Sequence, residues 1–426
     1  MDSLLLKKSI KPVDYGLICL MLLAVNPFFS SYRWFHFLVF LLLLNQLILK
    51  KNFNSLFNYK IFWLFVIYTL LAFIQGIIWD FALLSFLTSF SFTFLTPYFI
   101  MRLYGVRFFH ILERIIFILT IVGVLFWISH ELFHPLRDVY INIIESIHPY
   151  SSDSLIDGNM KRSMLIYTFS YEYTLMDFGF YRNSGFTHEP GAFAVFLNFA
   201  IFLNYLKTKA FFSKRNLIYI FALFTTFSTA GYLSFAILIL LNISQSKNWY
   251  ISVLYLIPFL IIFIFTYNSL DFMGRKIDSQ YTEESSLELN ETTSGRIYGA
   301  RKSLYVLSKY PLIGRGLLSV SMPVNRDDPE YADYGWLSQV AQYGVIIGSL
   351  GLIFFLVGFR GFINLYGANS MSFVLGIISL FISFSSQTFI TNPIFFIFFF
   401  FGLYSNQLNY LTLKISNSNY HRFPAS

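Results

Sequence analysis

The chain has 426 residues, of which 56% are hydrophobic and 21% aromatic, while only 12% are charged. Soluble domains carry about a quarter charged residues, so this composition, with a mean hydropathy of +0.61, excludes an ordinary soluble protein and predicts one integral membrane unit over residues 1–426. The net charge of +8 is explained by basic loops and gives no sign of nucleic-acid binding.

Apolar runs long enough to cross a bilayer recur along the sequence. They predict an all-α polytopic membrane protein with about twelve transmembrane helices. The runs lie near residues 15–30, 34–49, 61–79, 81–101, 113–133, 190–206, 216–230, 231–243, 250–268, 336–359, 370–390 and 392–407. The pair near 216–243 is interrupted by Thr225–Gly231 without a real loop, which predicts two short or broken helices that meet at the surface.

Basic residues in the short connections predict the orientation of the spans. They fall on one side of the membrane, so both termini are expected in the cytoplasm. The basic residues in question are Lys7, Lys8, Lys11, Lys50, Lys51, Lys60, Arg102, Arg107, Arg114, Lys207, Lys209, Lys214 and Arg215. Two long loops, at about 134–189 and 269–335, then lie outside the cell, and we expect each to carry short amphipathic helices.

The first long loop ends in a polar motif, Arg182–Gly191. Pro190 suits the first turn of the sixth span, with Thr187 or Glu189 as its cap. A helix N-terminus favours anions, and Arg182 adds a positive charge nearby. The motif therefore predicts an anion site with Arg182, His188 and Glu189 as candidate functional residues, although an N-cap and a surface Arg–Glu pair explain it too.

The second long loop contains a predicted amphipathic helix at about 296–309, which Tyr310-Pro311 ends. Gly314-Arg315-Gly316 then predicts a turn. Such a helix can lie along the membrane surface and present Arg296, Arg301 or Lys302 to a headgroup, although any interfacial helix carries basic residues. Arg296 at the helix start opposes the helix dipole, so we expect a functional reason for it, and Arg315 is a further candidate.

Polar residues also precede two later spans. Asp333, at the membrane entry before Trp336, is a candidate general base or a plain helix cap. Gln387 and Asn392 could bind sugar hydroxyls, and capping explains them equally well. The acidic stretch around Asp327 has no D-x-D spacing, so no metal site is expected. We find no hydrolase, zinc or nucleotide motif and expect no cofactor.

Three motifs together resemble a polysaccharide polymerase of the Wzy type, within the superfamily of O-antigen polymerases and O-antigen ligases. The first runs from Arg182 to Gly191 and opens a span. The second is Ser294-Gly295-Arg296 followed by Tyr310-Pro311-Leu312-Ile313-Gly314-x-Gly316. The third is a polar span entry followed by Gln342-Tyr343-Gly344-Val345-Ile346-Ile347-Gly348.

The resemblance implies a glycosyltransferase in the bacterial cell (inner) membrane with its active site on the extracytoplasmic face. It would join undecaprenyl-diphosphate-linked oligosaccharide repeats for O-antigen, capsule or exopolysaccharide. Donor and acceptor are thus lipid-linked, membrane lipids surround the protein, and a chain-length regulator and a flippase are further candidate partners. Arg182, Arg296, Arg301 and Arg315 would contact the diphosphate, His188, Gln387 and Asn392 the glycan, and Glu189 or Asp333 would be the base.

Two departures bear on the choice between polymerase and ligase. Ligases of the superfamily carry a His in the outer loop before the late span, where this chain has Asp333-Tyr334-Gly335-Trp336. An Arg common after the Thr-x-Ser of the seventh span is also absent after Thr226-Phe227-Ser228. Both favour a polymerase. A ligase that moves finished glycan to a lipid or protein acceptor stays the main alternative, and a lipid-linked oligosaccharide flippase or other transporter the second.

Overall fold

The computed structural model of the chain describes residues 11–30, 33–49, 59–79, 94–147, 162–175, 178–245, 296–316, 335–385, 389 and 392–405. The helices and strands in these ranges are α1 Pro12–Leu23, α2 Pro27–Ser30, α3 Arg33–Leu49, α4 Tyr59–Trp79, α5 Thr96–Tyr104, α6 Arg107–Leu132, α7 His134–Ile147, β1 Arg162–Met164, β2 Tyr167–Leu175, β3 Phe178–Asn183, α8 Pro190–Thr208, α9 Lys214–Thr225, α10 Thr229–Gln245, α11 Arg296–Lys309, α12 Gly335–Leu365, α13 Ser370–Phe384 and α14 Pro393–Leu403.

The described helices are those of a multi-pass membrane protein. Those long and apolar enough to cross a bilayer are Tyr59–Ile78, Arg107–Leu132, Pro190–Thr208 and Leu337–Leu365, and shorter apolar helices accompany them. The predicted break near 216–243 is confirmed, because α9 and α10 are two short helices. The expectation that they meet at the surface is wrong, because Thr225, Thr226 and Ser228 at the break are buried. The predicted helix at 296–309 is confirmed as α11. The predicted span at 250–268 and most of that at 81–101 lie outside the described residues.

The first long loop contains α7 and also a three-stranded antiparallel sheet, in the order β1-β2-β3. Met164 pairs with Tyr167 and Leu175 with Phe178. The sheet corrects the all-α expectation to a mostly helical fold. Its pattern is visible in the sequence, since Tyr167–Leu175 alternates aromatic or aliphatic residues with polar ones, which is the two-residue period of a strand with one buried face.

Glycines bring α12 and α14 into backbone contact. A Cβ added at Gly358 would overlap the carbonyl oxygen of Phe398, and one added at Gly402 would overlap that of Phe354. Lipid is as apolar as the helices themselves, so close approach through small residues is a main source of helix association in membranes. The Phe398 ring also stacks on Phe109 of α6 at 5.0 Å. This crossing therefore ties the C-terminal helices to the centre of the bundle.

Contacts at the helix termini distinguish the two ends of the bundle. His188, between the sheet and α8, lies 6.2 Å ring to ring from Phe389, just before α14, and we call this the sheet end. Lys60, in the first turn of α4, donates to the Leu403 carbonyl at the last residue of α14 at 2.6 Å, so α4 begins at the opposite end. Gln75 lies about 22 Å farther along α4, toward the sheet end.

Candidate functional site at the sheet end

The Arg182–Gly191 motif forms a tight turn from β3 into α8. Gly185 has a φ of +50°, and a Cβ there would meet the Phe193 ring at 2.6 Å, so both conformation and space require glycine. Glu189 is the extended N-cap residue of α8, without a side-chain cap. Thr187 Oγ1 instead donates to the carbonyl oxygens of Ser184 and Glu189 at 2.8 and 2.9 Å. Glu189 is therefore the cap residue, as one of the two expected, but its side chain makes no capping hydrogen bond.

Arg182 holds the break between α9 and α10. Its Nε donates to the Thr226 carbonyl and its Nη2 to the Phe227 carbonyl, each at 2.8 Å. Helix α9 has 12 residues, a length of about 18 Å, so it ends short of a full bilayer crossing. Phe227 has a φ of +46°, an uncommon and strained conformation for such a residue. A buried guanidinium, 7% exposed, thus neutralises the negative C-terminus of α9.

Asn183 adds a second link to the same break. Its Nδ2 donates to Thr225 Oγ1 at 2.9 Å, while its Oδ1 accepts from the Gly185 amide at the same distance. Gly123 of α6 lies against this turn, because a Cβ added to Gly123 would come within 3.2 Å of the Gly185 Cα. The motif is therefore fixed from both sides, by α6 and by the turn that follows α9.

Asn26, between α1 and α2, is a buried amide that the sequence did not single out. Its Nδ2 donates to the Phe186 carbonyl at 3.1 Å. Its Oδ1 accepts from Ser163 Oγ at 2.6 Å and from the Phe28 amide at 2.9 Å. One side chain thus joins the N-terminal helices, the sheet and the Arg182–Gly191 motif.

A charged group holds the sheet on the end of α6. The Glu131 carboxylate accepts from the Tyr181 amide at 3.1 Å and lies 3.3 Å from Arg137 Nη2. Trp127 Nε1 donates to the Tyr181 carbonyl at 2.8 Å. Tyr167 is fully buried, and burial together with the Glu131 carboxylate raises the pKa of its phenol well above the ordinary value of 10.0. The phenol is therefore a neutral hydrogen-bonding group at any physiological pH.

The second and third motifs pack against each other. Gly344, with a φ of +78°, breaks α12, and a Cβ there would overlap the Leu312 carbonyl oxygen. A Cβ on Gly314 would overlap the Gln342 carbonyl oxygen. Backbone hydrogen bonds run from Arg315 N to Ala341 O (3.0 Å), from Gly316 N to Gln342 O (3.0 Å) and from Val345 N to Pro311 O (2.7 Å). Both glycines are thus required by this backbone-to-backbone contact.

Gln75 of α4 completes this contact. Its Nε2 donates to the Ile313 carbonyl at 2.7 Å and to the Gln342 carbonyl at 2.9 Å. Gln75 is 3% exposed and Arg315 is 5% exposed, so both lie in the interior of the protein. We use the term clamp for Gln75 together with the two segments it joins, Tyr310–Gly316 and Gln342–Gly344.

The remaining predicted site residues are placed as follows. Glu189 is partly exposed, and its carboxylate has no hydrogen bond or ion pair within the part of the chain that the structure describes. Asn392 caps α14, because its Oδ1 accepts from the Ile394 amide at 3.0 Å. Arg296 and Arg301 lie in the first two turns of α11. Asp333 and Gln387 lie outside the described residues.

Residues 216–356 match the family described as O-antigen ligase. The match to this domain supports the resemblance to the O-antigen polymerase and ligase superfamily. This domain contains most of α9, all of α10 and α11, and α12 up to residue 356, so it includes the α9–α10 break and the clamp segments Tyr310–Gly316 and Gln342–Gly344. The Arg182–Gly191 motif precedes it and contacts it through the Thr225–Phe227 turn. No curated protein and no solved structure matches the chain significantly.

Proposed function

We propose that the protein is a membrane glycosyltransferase that joins undecaprenyl-diphosphate-linked oligosaccharide repeats on the extracytoplasmic face of a bacterial cell membrane. The observation that carries the proposal is the clamp. It seats the buried Arg315 at the sheet end of the bundle, inside the domain that matches the O-antigen ligase family. A buried cation in a membrane bundle is by default a functional group.

The reaction requires stabilisation of a diphosphate leaving group. Negative charge develops on this group as the acceptor hydroxyl attacks the anomeric carbon, and fixed guanidinium groups stabilise that charge. We assign this role to Arg315, with Arg296 and Arg301 of α11 as the neighbouring candidates. Arg182 is expected to contact the diphosphate as well. Because it donates to two carbonyls of the α9–α10 break, we also assign it a positioning role.

The acceptor hydroxyl needs a general base. Glu189 suits this role because its carboxylate is partly exposed and unpaired among the described residues, while its backbone is fixed as the N-cap of α8. A base must reach the proton that it removes, and a carboxylate held by other protein groups would be less able to do so. Asp333 stays the alternative base. His188 and Asn392, at the same end of the bundle, are candidates for glycan contacts.

Glycan profiling of a deletion strain tests the proposal. Loss of the gene should leave single repeats on the lipid carrier, and the wild-type gene should restore a polymer ladder. Arg315→Ala and Glu189→Gln, expressed at the wild-type level, should not restore it. Arg360→Ala is the matched control, because it also removes an arginine, but one on α12 that donates to Ser370 at the other end of the bundle. Full ladders from both site variants would refute the assignment.

A ligase is the second candidate, because the matched family is described as O-antigen ligase. The same deletion separates the two activities. A strain without a ligase accumulates long polymer that is still attached to its lipid carrier, whereas a strain without a polymerase accumulates single repeats.

A further inference from the structure

A cavity of about 180 Å³ lies between α4, Phe94 just before α5, α12 and α14. Among the described residues, its lining is leucine, isoleucine, valine, phenylalanine and glycine, apart from Tyr68, Gln339 and Tyr343. A protein cavity of about 150 Å³ with such walls stays dry and holds a benzene ring. This cavity can therefore take a hydrocarbon segment of about the same number of carbons.

Exposed aliphatic side chains stand at one side of the cavity. Ile67 of α4 and Leu350 of α12 both line it, yet they are 50% and 49% exposed. On α4 the neighbouring Leu70 is 57% exposed as well. Exposed aliphatic side chains on a membrane-spanning helix face the acyl chains of the bilayer. A ligand therefore enters this cavity sideways from the membrane, and it is an apolar chain.

The clamp lies directly beside the cavity. Tyr343 lines the cavity, and it stands between Gln342 and Gly344, the residues against which Gly314 packs. The Arg315 amide is bound to the Ala341 carbonyl two residues before Tyr343. A molecule whose hydrocarbon chain lies in the cavity thus carries its head group toward a buried arginine. The ligand that fits is an apolar chain with an anionic head.

We infer that this cavity binds the isoprene unit nearest the diphosphate in the polyprenyl chain of the lipid-linked donor; this inference rests on the proposed function. A polyprenyl chain carries a methyl branch on every unit, whereas the acyl chains around the protein are unbranched. A cavity of this volume between aromatic side chains and glycines accommodates a branched unit better than a straight chain. Since the surrounding lipid is equally apolar, the preference comes from shape and van der Waals contact.

Gly351 allows the cavity to be filled without disturbing its walls. It lines the cavity, and a Cβ added there meets no atom within 4 Å. Gly351→Phe should therefore occupy the space intended for the isoprene unit. Gly16 on α1 gives the matched control, because a Cβ there also meets nothing within 4 Å and Gly16 does not line the cavity.

The test is photolabelling of the full-length protein in nanodiscs with a diazirine-bearing C55 polyprenyl diphosphate. Wild type and Gly16→Phe should be labelled on α4 and α12, and Gly351→Phe should lose labelling about fivefold or more. Unchanged labelling of Gly351→Phe would overturn the inference. Labelling requires no transfer, so a wild type that is labelled but makes no polymer contradicts the proposed function alone.

A competition experiment on the wild type needs no variant. Farnesyl diphosphate should displace the label at about a tenfold lower concentration than a straight-chain alkyl diphosphate of equal carbon number. Equal competition would show that the cavity accepts any apolar chain, which would also overturn the inference.

Discussion

Replacing Gln75 by leucine should loosen the clamp. The change removes two hydrogen bonds, to the Ile313 and Gln342 carbonyls, at a site that stays buried. The Gln342 oxygen keeps the Gly316 amide as a donor, so the larger cost falls on Ile313. A buried carbonyl that loses its partner costs about 1–3 kcal/mol, which corresponds to a roughly 5- to 150-fold shift in the equilibrium between closed and open clamp.

Hydrogen exchange measured by mass spectrometry would detect that shift. The amides of Arg315, Gly316 and Val345 form the backbone bonds of the clamp, so peptides that contain them should exchange faster in Gln75→Leu by a factor in that range. Gln245→Leu is the control, because Gln245 donates to Asn369 and Ser372 away from the clamp. Identical exchange of the clamp amides in wild type and Gln75→Leu would refute the reasoning.

Three further changes should be visible in thermal unfolding of the purified protein. Arg182→Lys should be destabilised by about 1–3 kcal/mol, nearly as much as Arg182→Ala, because an ammonium cannot reproduce the planar fork that holds two carbonyls; a wild-type melting temperature would contradict this. Gly358→Ala should lower the free energy of unfolding by about 1–3 kcal/mol or more, because the added methyl group overlaps α14. Gly16→Ala should not lower it, and equal stability of the two variants would contradict the close contact between α12 and α14. Asn26→Ala should lower the free energy of unfolding by about 1–3 kcal/mol. Ser163→Ala removes only one of the hydrogen bonds of Asn26, so it should lower the free energy of unfolding by less.

Much of the helical architecture could be predicted from local patterns. Apolar runs marked the membrane helices, and Tyr310-Pro311 marked the end of α11, because both depend on residues close together in the sequence. The sheet was missed although Tyr167–Leu175 alternates regularly. A strand of nine residues is too short and too polar to stand out as an apolar run, so the hydropathy of this loop does not reveal it.

The residues that assemble the site could not be predicted in the same way. Gln75 meets carbonyls 238 and 267 residues away, and Asn26 meets one 160 residues away. A single amide in an apolar segment can satisfy many partners, so its identity alone does not reveal which carbonyl it binds. The sequence marks Arg182 as a candidate functional residue, but its contacts with Thr226 and Phe227 depend on the fold.

The break between α9 and α10 has a consequence for how the protein is made. Its carbonyls at 226 and 227 would be left in hydrocarbon, at a cost of several kcal/mol each, if the two short helices entered the bilayer alone. The guanidinium that satisfies them comes from residue 182, which leaves the ribosome first. Arg182 is therefore synthesised before Thr226 and Phe227. The helices α9 and α10 can then insert against a loop that has already been made.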